Sequence, residues 1–230
     1  MQLSKRLSAV ADMVTSGNCL ADVGTDHGYI PIYLVKQGRI AGAVAMDIHS
    51  GPLQRAKENI RNYHLEDRIQ SRLSDGVAAL QEFEADTVVI AGMGGGLVMK
   101  ILTEGRKVLK TASKIVLQPQ SEIEKVRRFL QIEGYCIDAE NMILEDGKFY
   151  PMMRAVHGQM KLERQIEFKY GPILLKNKNE CLKAFLDKEE FLYRQVRNTL
   201  LENKNEKTVR RLREIEEELK LINEAKEDMQ

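Results

Sequence analysis

The chain has 230 residues with 35 Lys and Arg against 34 Asp and Glu, and its net charge of +1 sets up no whole-molecule field to draw in phosphate or anionic lipid. A nucleic-acid partner would have to be held by a local patch. Hydrophobic residues make up 43%, but no uncharged apolar run approaches the ~20 residues of a membrane span, and MQLSKRLSAVADMV at the N-terminus has no apolar run before a small-residue cleavage site. The expectation is a cytoplasmic protein with no signal peptide and no membrane partner. Cys19, Cys136 and Cys181 form no CxxC pair and read as reduced, mostly buried thiols. His27, His49, His64 and His157 have no ligand spacing, so no metal is expected.

Residues 1–158 alternate short apolar runs with amphipathic stretches, the pattern of a parallel sheet covered by helices. In chain order the predicted strands are CLADVG (19–24), GAVAMDI (42–48), IQSRLSD (69–75), DTVVIAG (86–92), KIVLQ (114–118), YCIDAEN (135–141) and FYPMMRAV (149–156). Predicted helices are IPIYLVKQ (30–37), GPLQRAKENIRNY (51–63), GGLVMKILTEGRK (95–107) and SEIEKVRRFLQIE (121–133). Seven strands with helices between the first five or six predict a doubly wound, mostly parallel, Rossmann-like α/β sheet. The last two strands, separated by MILEDGK (142–148), read as an antiparallel hairpin at one edge.

Residues 159–230 differ: 31 of the 72 are charged, there is no histidine, and Gly171 and Pro172 precede a long stretch rich in Leu, Glu, Lys and Arg. Leu182, Phe185, Leu186, Phe191, Leu192, Val196 and Leu200 recur at helical spacing. So do Val209, Leu212, Ile215, Leu219 and Ile222, beyond a polar, turn-like ENKNEK (202–207). This predicts two antiparallel helices closing through one apolar stripe, a helical hairpin or coiled coil. Arg194, Arg197, Lys204, Lys207, Arg210, Arg211 and Arg213 cluster near the turn, either as a solvated face or as a basic tip against a phosphate backbone. The expected domains are 1–158 and 159–230.

Chemistry concentrates after the first strand, in Asp22-Val23-Gly24-Thr25-Asp26-His27-Gly28-Tyr29, followed by Pro31 at a helix start. A strand, a glycine turn and a helix N-terminus make a cofactor cradle, because glycine permits tight backbone geometry and close approach of a ligand. Gly24 and Gly28 are four apart, whereas the first and third glycines of the dinucleotide GxGxxG are five apart. The spacing fits GxGxG with Asp26 at the middle glycine, and resembles the loop of S-adenosylmethionine-dependent methyltransferases. A carboxylate there repels a pyrophosphate but suits a sulfonium and an ammonium. Asp47 ends the second strand, where an acid can accept both hydroxyl protons of a ribose, and Asp75-Gly76 ends the third, where Asp can bind an adenine amino group. Either acid alone is more often an ordinary strand-to-helix cap. At the fourth strand end stands Ala91-Gly92-Met93-Gly94-Gly95-Gly96. The Asp/Asn-Pro-Pro-aromatic tetrapeptide found there in many amino methyltransferases is absent, which argues against N6-adenine and protein glutamine methylation and leaves an open, backbone-lined floor.

SKRL (4–7), ADVGTDHGYIPI (21–32), AMDIHSGPLQRAKENI (45–60), SDG (74–76), IAGMGGG (90–96) and LQPQ (117–120) together resemble the bacterial tRNA adenine-N1 methyltransferases that act on adenine 22. The resemblance covers about residues 1–157 and the trailing hairpin. It implies a class I methyltransferase with S-adenosylmethionine as cofactor and tRNA as partner, acting as a monomer or weak dimer. The cofactor positions it implies are Asp22, Gly24, Asp26, His27, Gly28, Asp47, Ile48, Asp75, Gly76, Gly92 and Met93. Adenine N1 carries an in-plane lone pair and no proton, so attack on the methyl needs no strong base; groups that meet the positive charge arriving on the purine help instead. Asp26 is the candidate for that role, with His27 and Tyr29 lining the base pocket as further catalytic candidates. Gln118 and Pro119 are candidates for the Watson–Crick edge, and Lys5, Arg6, Arg127, Arg128 and Arg154 for phosphate. Two other readings stay open on the residues: a methyltransferase of a small molecule or protein, and a non-catalytic, cofactor-sensing interaction protein.

Overall fold

The computed structural model describes residues 1–202 and 206–230, and the chain divides into two compact units, Met1–Lys161 and Leu162–Gln230. In the first unit the elements are α1 (Lys5–Met13), β1 (Gly17–Val23), α2 (Tyr29–Lys36), β2 (Ile40–Asp47), α3 (Ser50–Asn62), β3 (Ile69–Leu73), β4 (Thr87–Met93), α4 (Gly95–Glu104), α5 (Arg106–Leu109), β5 (Lys114–Pro119), α6 (Ile123–Ile132), β6 (Tyr135–Glu145) and β7 (Lys148–His157). The seven strands form one sheet in the order β3-β2-β1-β4-β5-β7-β6. The first five run parallel, and β7 is antiparallel to both β5 and β6. Order reverses between β1 and β4, so a crevice opens at their carboxyl ends.

Helices cover both faces, which is why the central strands read as continuous apolar runs. Val10, Leu34 and Ile60 of α1, α2 and α3 share one core with Leu20, Val89 and Val116. By strand alternation Val88, Ile90, Ile115 and Leu117 are buried on the other face, with Val98, Leu102, Val126 and Leu130 of α4 and α6.

Five features depart from the sequence expectation. The amphipathic N-terminus folds as α1; its first turn is capped by the Ser4 hydroxyl, which accepts the Leu7 N–H at 3.2 Å, and by Glu145, which accepts the Lys5 N–H at 2.5 Å. No helix joins β3 to β4: Gly76 (φ 55°) turns the chain, and the Ser74 hydroxyl accepts the Ala79 N–H, closing a compact loop. The predicted 95–107 helix breaks at Gly105, where a Cβ would lie 2.2 Å from Val77 Cγ2. The edge hairpin is longer than expected, turning through the left-handed pair Asp146 (φ 49°) and Gly147 (φ 74°). Cys19, Cys136 and Cys181 are free and half-buried rather than mostly buried.

The second unit contains α7 (Gln165–Tyr170), α8 (Pro172–Lys176), α9 (Glu180–Glu202) and α10 (Glu206–Asp228). α9 and α10 form the predicted antiparallel hairpin; part of the expected turn, including Lys204, lies outside the described residues. Lys226 of α10 binds Asp187 and Glu190 of α9, and Arg164 binds Asp228 at 2.5 and 3.0 Å. The apolar stripe closes only in part. Leu182, Leu186, Ile215, Leu219 and Ile222 are buried with Ile166, Phe168, Leu174 and Leu175, whereas Phe191, Leu192, Val196 and Val209 are exposed. The physical reason is that α7 and α8 supply a third layer only at the base, and two helices alone cover just a narrow seam. Among the described residues no helix is long and apolar enough to cross a membrane, and no group of His, Cys, Asp and Glu is placed to hold a metal ion.

Candidate active site

The loop after β1 is built from two hydrogen bonds and two left-handed glycines. The N–H groups of Gly24 and Thr25 both bond to the Met46 carbonyl of β2, at 2.8 and 2.9 Å, which bends the chain off the sheet edge. Gly24 (φ 73°) holds a left-handed conformation that strains any side chain, and a Cβ there would push on the flexible end of Met93, 2.3 Å away. Gly28 (φ 69°) caps α2 and lies close against Ala56 of α3. α3 also pins the loop from outside: Asn59 donates to the His27 carbonyl at 2.9 Å, and Arg55 donates to Asp26 Oδ1 at 2.7 Å.

A cleft of about 380 Å³ opens at the carboxyl ends of β1 and β4, lined by Arg6, Asp22, Gly24, Asp26, His27, Tyr29 and Gly92. Asp22 forms its floor. It is buried, and the hydroxyl of Thr25 donates to it at 2.6 Å. Burial, opposed by that hydrogen bond and reinforced by the nearby Asp47 charge, raises the Asp22 carboxyl from the ordinary 3.8 to about 6. Asp26 (φ 44°) is half exposed and shared between Arg55 and the His27 Nε2 at 3.6 Å. The His27 and Tyr29 rings stack at 5.0 Å with 8° between planes, making one flat wall. Gly92 (φ 78°) sits at a bulge in the β4–β5 pairing, between Ala91 and Met93, and faces the cleft from the opposite side.

Other predicted residues fall elsewhere. Asp75 and Gly76 line a separate cavity of about 260 Å³ with Ile101 and Val108. Asp47 is buried at the end of β2, accepting the His49 N–H at 2.8 Å, and Ile48 beside it is exposed. Gln118 and Pro119 are buried in β5; the Gln118 carboxamide oxygen accepts Arg6 Nη1 at 3.0 Å. Lys5 is exposed at the start of α1. Arg154 is not in the cleft: it makes a two-pronged contact with Asp138 at 2.8 and 3.0 Å and donates to the Met13 carbonyl. Arg127 is corrected from an exposed phosphate candidate to a buried ion pair with Glu140 at 2.9 Å, while Arg128 stays exposed beside Glu124. The run Gly94-Gly95-Gly96 answers to packing as well as openness, since a Cβ at Gly95 would meet the Ser121 carbonyl at 2.4 Å.

The cleft also contains Leu7, Thr25, Ile30, Ala91 and Gln120, none of which was singled out from sequence. Leu7 and Gln120 stand inside the quoted motifs SKRL and LQPQ. That adjacency was the available signal.

Tested against this geometry, a sulfonium-bearing nucleoside fits. The glycine at position 24 keeps a left-handed turn open to a ligand, the floor is an acid and not a cluster of N–H donors, and the carboxyl ends of β3, β2, β1 and β4 lie in one row. The sheet order, the antiparallel β7 and the acid-floored cleft at the switch point define a Rossmann-like class I methyltransferase.

Comparison with known proteins narrows the class. Residues 20–224 match the family model described as tRNA (adenine(22)-N(1))-methyltransferase. The tRNA (adenine(22)-N(1))-methyltransferase of Bacillus subtilis (strain 168) is 32% identical over 98% of this chain and 97% of its own length. Streptococcus pneumoniae Sp1610 has 35% identity and a TM-score of 0.90, covering 97% of this chain and 99% of that one. Its complex with S-adenosyl-L-methionine has a TM-score of 0.84. Mycoplasma capricolum TrmK, in complex with S-adenosyl-homocysteine, has 26% identity and a TM-score of 0.85 over 99% of both chains. The chain belongs to the tRNA (adenine(22)-N(1))-methyltransferase family.

Proposed function

We propose that this protein transfers a methyl group from S-adenosylmethionine to N1 of adenine 22 in bacterial tRNA, releasing S-adenosylhomocysteine and leaving 1-methyladenosine. One observation carries the reading: in a chain of this family, a buried acid lies beneath left-handed glycines at the carboxyl ends of β1 and β4. Bound in the cleft, the cofactor supplies a methyl group on a positively charged sulfur. Along the row of strand ends, Asp22, Gly24, Gly28, Gly92 and Met93 would hold its amino-acid arm, Asp47 and Ile48 at the end of β2 its ribose and ring edge, and Asp75 and Gly76 at the end of β3, which border the neighbouring cavity, its adenine.

The protein's own residues then position a neutral adenine whose N1 lone pair faces the methyl, and holding two reactants in line is worth roughly 7–11 kcal/mol. No general base is required, because N1 has no proton to lose. Positive charge moves onto the purine, and the Asp26 carboxylate, anchored through Oδ1 by Arg55 and still facing the cleft, stabilises it as it appears. The stacked His27 and Tyr29 rings give the base a flat surface, and Gln118 and Pro119 shape the wall behind. Turning the target base out of the tRNA costs a few kcal/mol. Phosphate contacts from Lys5, Arg128 and the exposed Arg194, Arg210 and Arg211 of the hairpin offset that cost. In this reading residues 1–158 hold cofactor and target base, residues 159–230 add RNA surface, and the protein works in the cytoplasm as a monomer or weak dimer without a metal.

The test is labelled S-adenosylmethionine with unmodified tRNA, followed by mass-spectrometric mapping. The expected product is 1-methyladenosine at position 22, with incorporation by Asp26→Ala lower by on the order of a hundredfold. A wild type that labels no tRNA, or labels another nucleotide, refutes the proposal.

A further inference from the structure

A target adenine whose N1 faces the methyl donor has its Watson–Crick edge taken up by the reaction, so its identity has to be read elsewhere on the ring. The neighbouring edge, formed by N6 and N7, offers one donor and one acceptor, which a glutamine carboxamide meets with two hydrogen bonds in one plane. Two glutamines, Gln118 and Gln120, stand at the end of β5. Gln118 is already engaged: it is fully buried, its oxygen accepts Arg6 Nη1 at 3.0 Å, and its nitrogen donates to the Pro119 carbonyl at 3.3 Å. Gln120 is exposed and lines the cleft, and among the described residues its carboxamide has no hydrogen-bond partner.

Its placement is fixed from the backbone. Pro119 pairs with Met93 across the β4–β5 bulge, and the Gln120 N–H bonds to the Met93 carbonyl at 2.8 Å. The side chain then reaches over Gly92: a Cβ built there would lie 3.8 Å from Gln120 Nε2, and the φ of 78° keeps that position free of a side chain. Other polar side chains of the cleft are committed. The Thr25 hydroxyl donates to Asp22, Asp26 is held by Arg55, and Arg6 is held by Gln118. A planar amide with its donor and its acceptor both unused therefore lines the cleft on the side that Gly92 forms, while the stacked His27 and Tyr29 rings line it from the β1 loop.

We propose that Gln120 reads the N6–N7 edge of the target adenine, its oxygen accepting from N6 and its nitrogen donating to N7, and so turns N1 toward the methyl group. This rests on the proposed transfer to adenine N1, and it moves the base-reading role from Gln118, where the sequence put it, to Gln120. As N1 bonds to the methyl carbon the C–S bond breaks, its electron pair stays on sulfur, and positive charge spreads over N1 and N6; no proton moves. The hydrogen bond from N6 to the Gln120 oxygen strengthens as that charge appears, so the same contact that selects the base also favours the transition state. Guanine presents acceptors at both O6 and N7, which leaves the carboxamide oxygen facing an acceptor, and a pyrimidine has no N7.

Methylation kinetics on tRNA carrying adenosine or 7-deazaadenosine at position 22 tests this, because 7-deazaadenosine keeps N1 and N6 and replaces N7 with carbon. Taking the ratio of the two tRNAs within each variant, and then between variants, cancels the change in N1 basicity that the replacement brings. Gln120→Leu should lower kcat/KM on the adenosine tRNA by roughly tenfold to a hundredfold. Its affinity for S-adenosylhomocysteine should be unchanged, which also shows that the variant is folded. The wild-type preference for adenosine over 7-deazaadenosine should exceed that of Gln120→Leu by roughly tenfold. Gln120→Glu, whose carboxylate accepts from N6 but repels the N7 lone pair, should shift the preference the other way, toward the 7-deazaadenosine tRNA. Equal preferences in wild type and Gln120→Leu overturn the assignment. So does a Gln120→Leu variant that loses S-adenosylhomocysteine affinity in proportion to kcat/KM, since the residue would then serve the cofactor. A wild type that methylates no adenosine at position 22 overturns the proposed activity itself, and this assignment with it.

Discussion

The role proposed for Asp22 pulls against its burial. A carboxylate that is to hold the cofactor's cation has to be charged, yet burial raises its pKa to about 6. Because the folded form holds the proton more tightly than the unfolded one, stability falls as pH rises from about 4 to about 6, and the full penalty stands above that range. A shift of this size corresponds to ~3 kcal/mol. Asp22→Asn should therefore stabilise the ligand-free protein by up to ~3 kcal/mol at pH 8 and by little at pH 4, as read from urea unfolding at both pH values. The same titration predicts that affinity for S-adenosylhomocysteine drops as pH falls through about 6, by at most about tenfold per unit for a single proton, and that Asp22→Asn flattens this profile. An unchanged profile in the variant would remove Asp22 from the ammonium site. Asp22 and the glycine turn were legible because a strand, a tight bend and a helix start are local. Gln120 was not, because its approach to Gly92 depends on how β5 ends beside β4.

Between elements, the least legible contact lies at the sheet edge. Arg127 on α6 and Glu140 on β6 are buried against each other at 2.9 Å. In sequence Arg127 looks like any charged residue of an amphipathic helix, because nothing local tells which face a neighbouring strand will cover. Removing one member of such a pair leaves a buried charge uncompensated, so Glu140→Ala should cost about 3–5 kcal/mol of folding stability. Replacing both with apolar residues of similar volume, as in Arg127→Met with Glu140→Leu, should recover most of it in the same denaturation assay. A Glu140→Ala variant as stable as wild type would show that the pair is solvated. α1 likewise escaped the sequence reading: nine residues make a marginal helix alone, and it is tertiary partners, Glu145 and the Val10 core, that hold it.

For the molecule as a whole, a net charge of +1 means that RNA affinity has to come from few, local contacts. Raising salt from 50 to 200 mM should weaken tRNA binding by ~40-fold if about three phosphates are neutralised, while affinity for 5′-methylthioadenosine barely changes. Filter binding across that range checks it, and substitution of Arg210 and Arg211 by Gln should lessen the slope if the hairpin touches RNA. A slope that survives these changes would place the contacts on the first unit instead. The hairpin's exposed Phe191, Leu192, Val196 and Val209 show that helical periodicity predicts a stripe but not what covers it.

Sequence by itself determined the strand count, the parallel order implied by alternating elements, the glycine cradle and the acids at three strand ends, because each is encoded in residues close together along the chain. Only the tertiary structure decided which charges were already spent on a partner. Arg127, Arg154 and Asp26 are paired, whereas Asp22 and Arg6 are bonded only to neutral groups, and that difference arises from residues up to more than a hundred positions apart, as with Arg6 and Gln118. Ion pairing falls off over a few ångströms in space, and separation along the chain carries no information about it until the fold has brought the partners together.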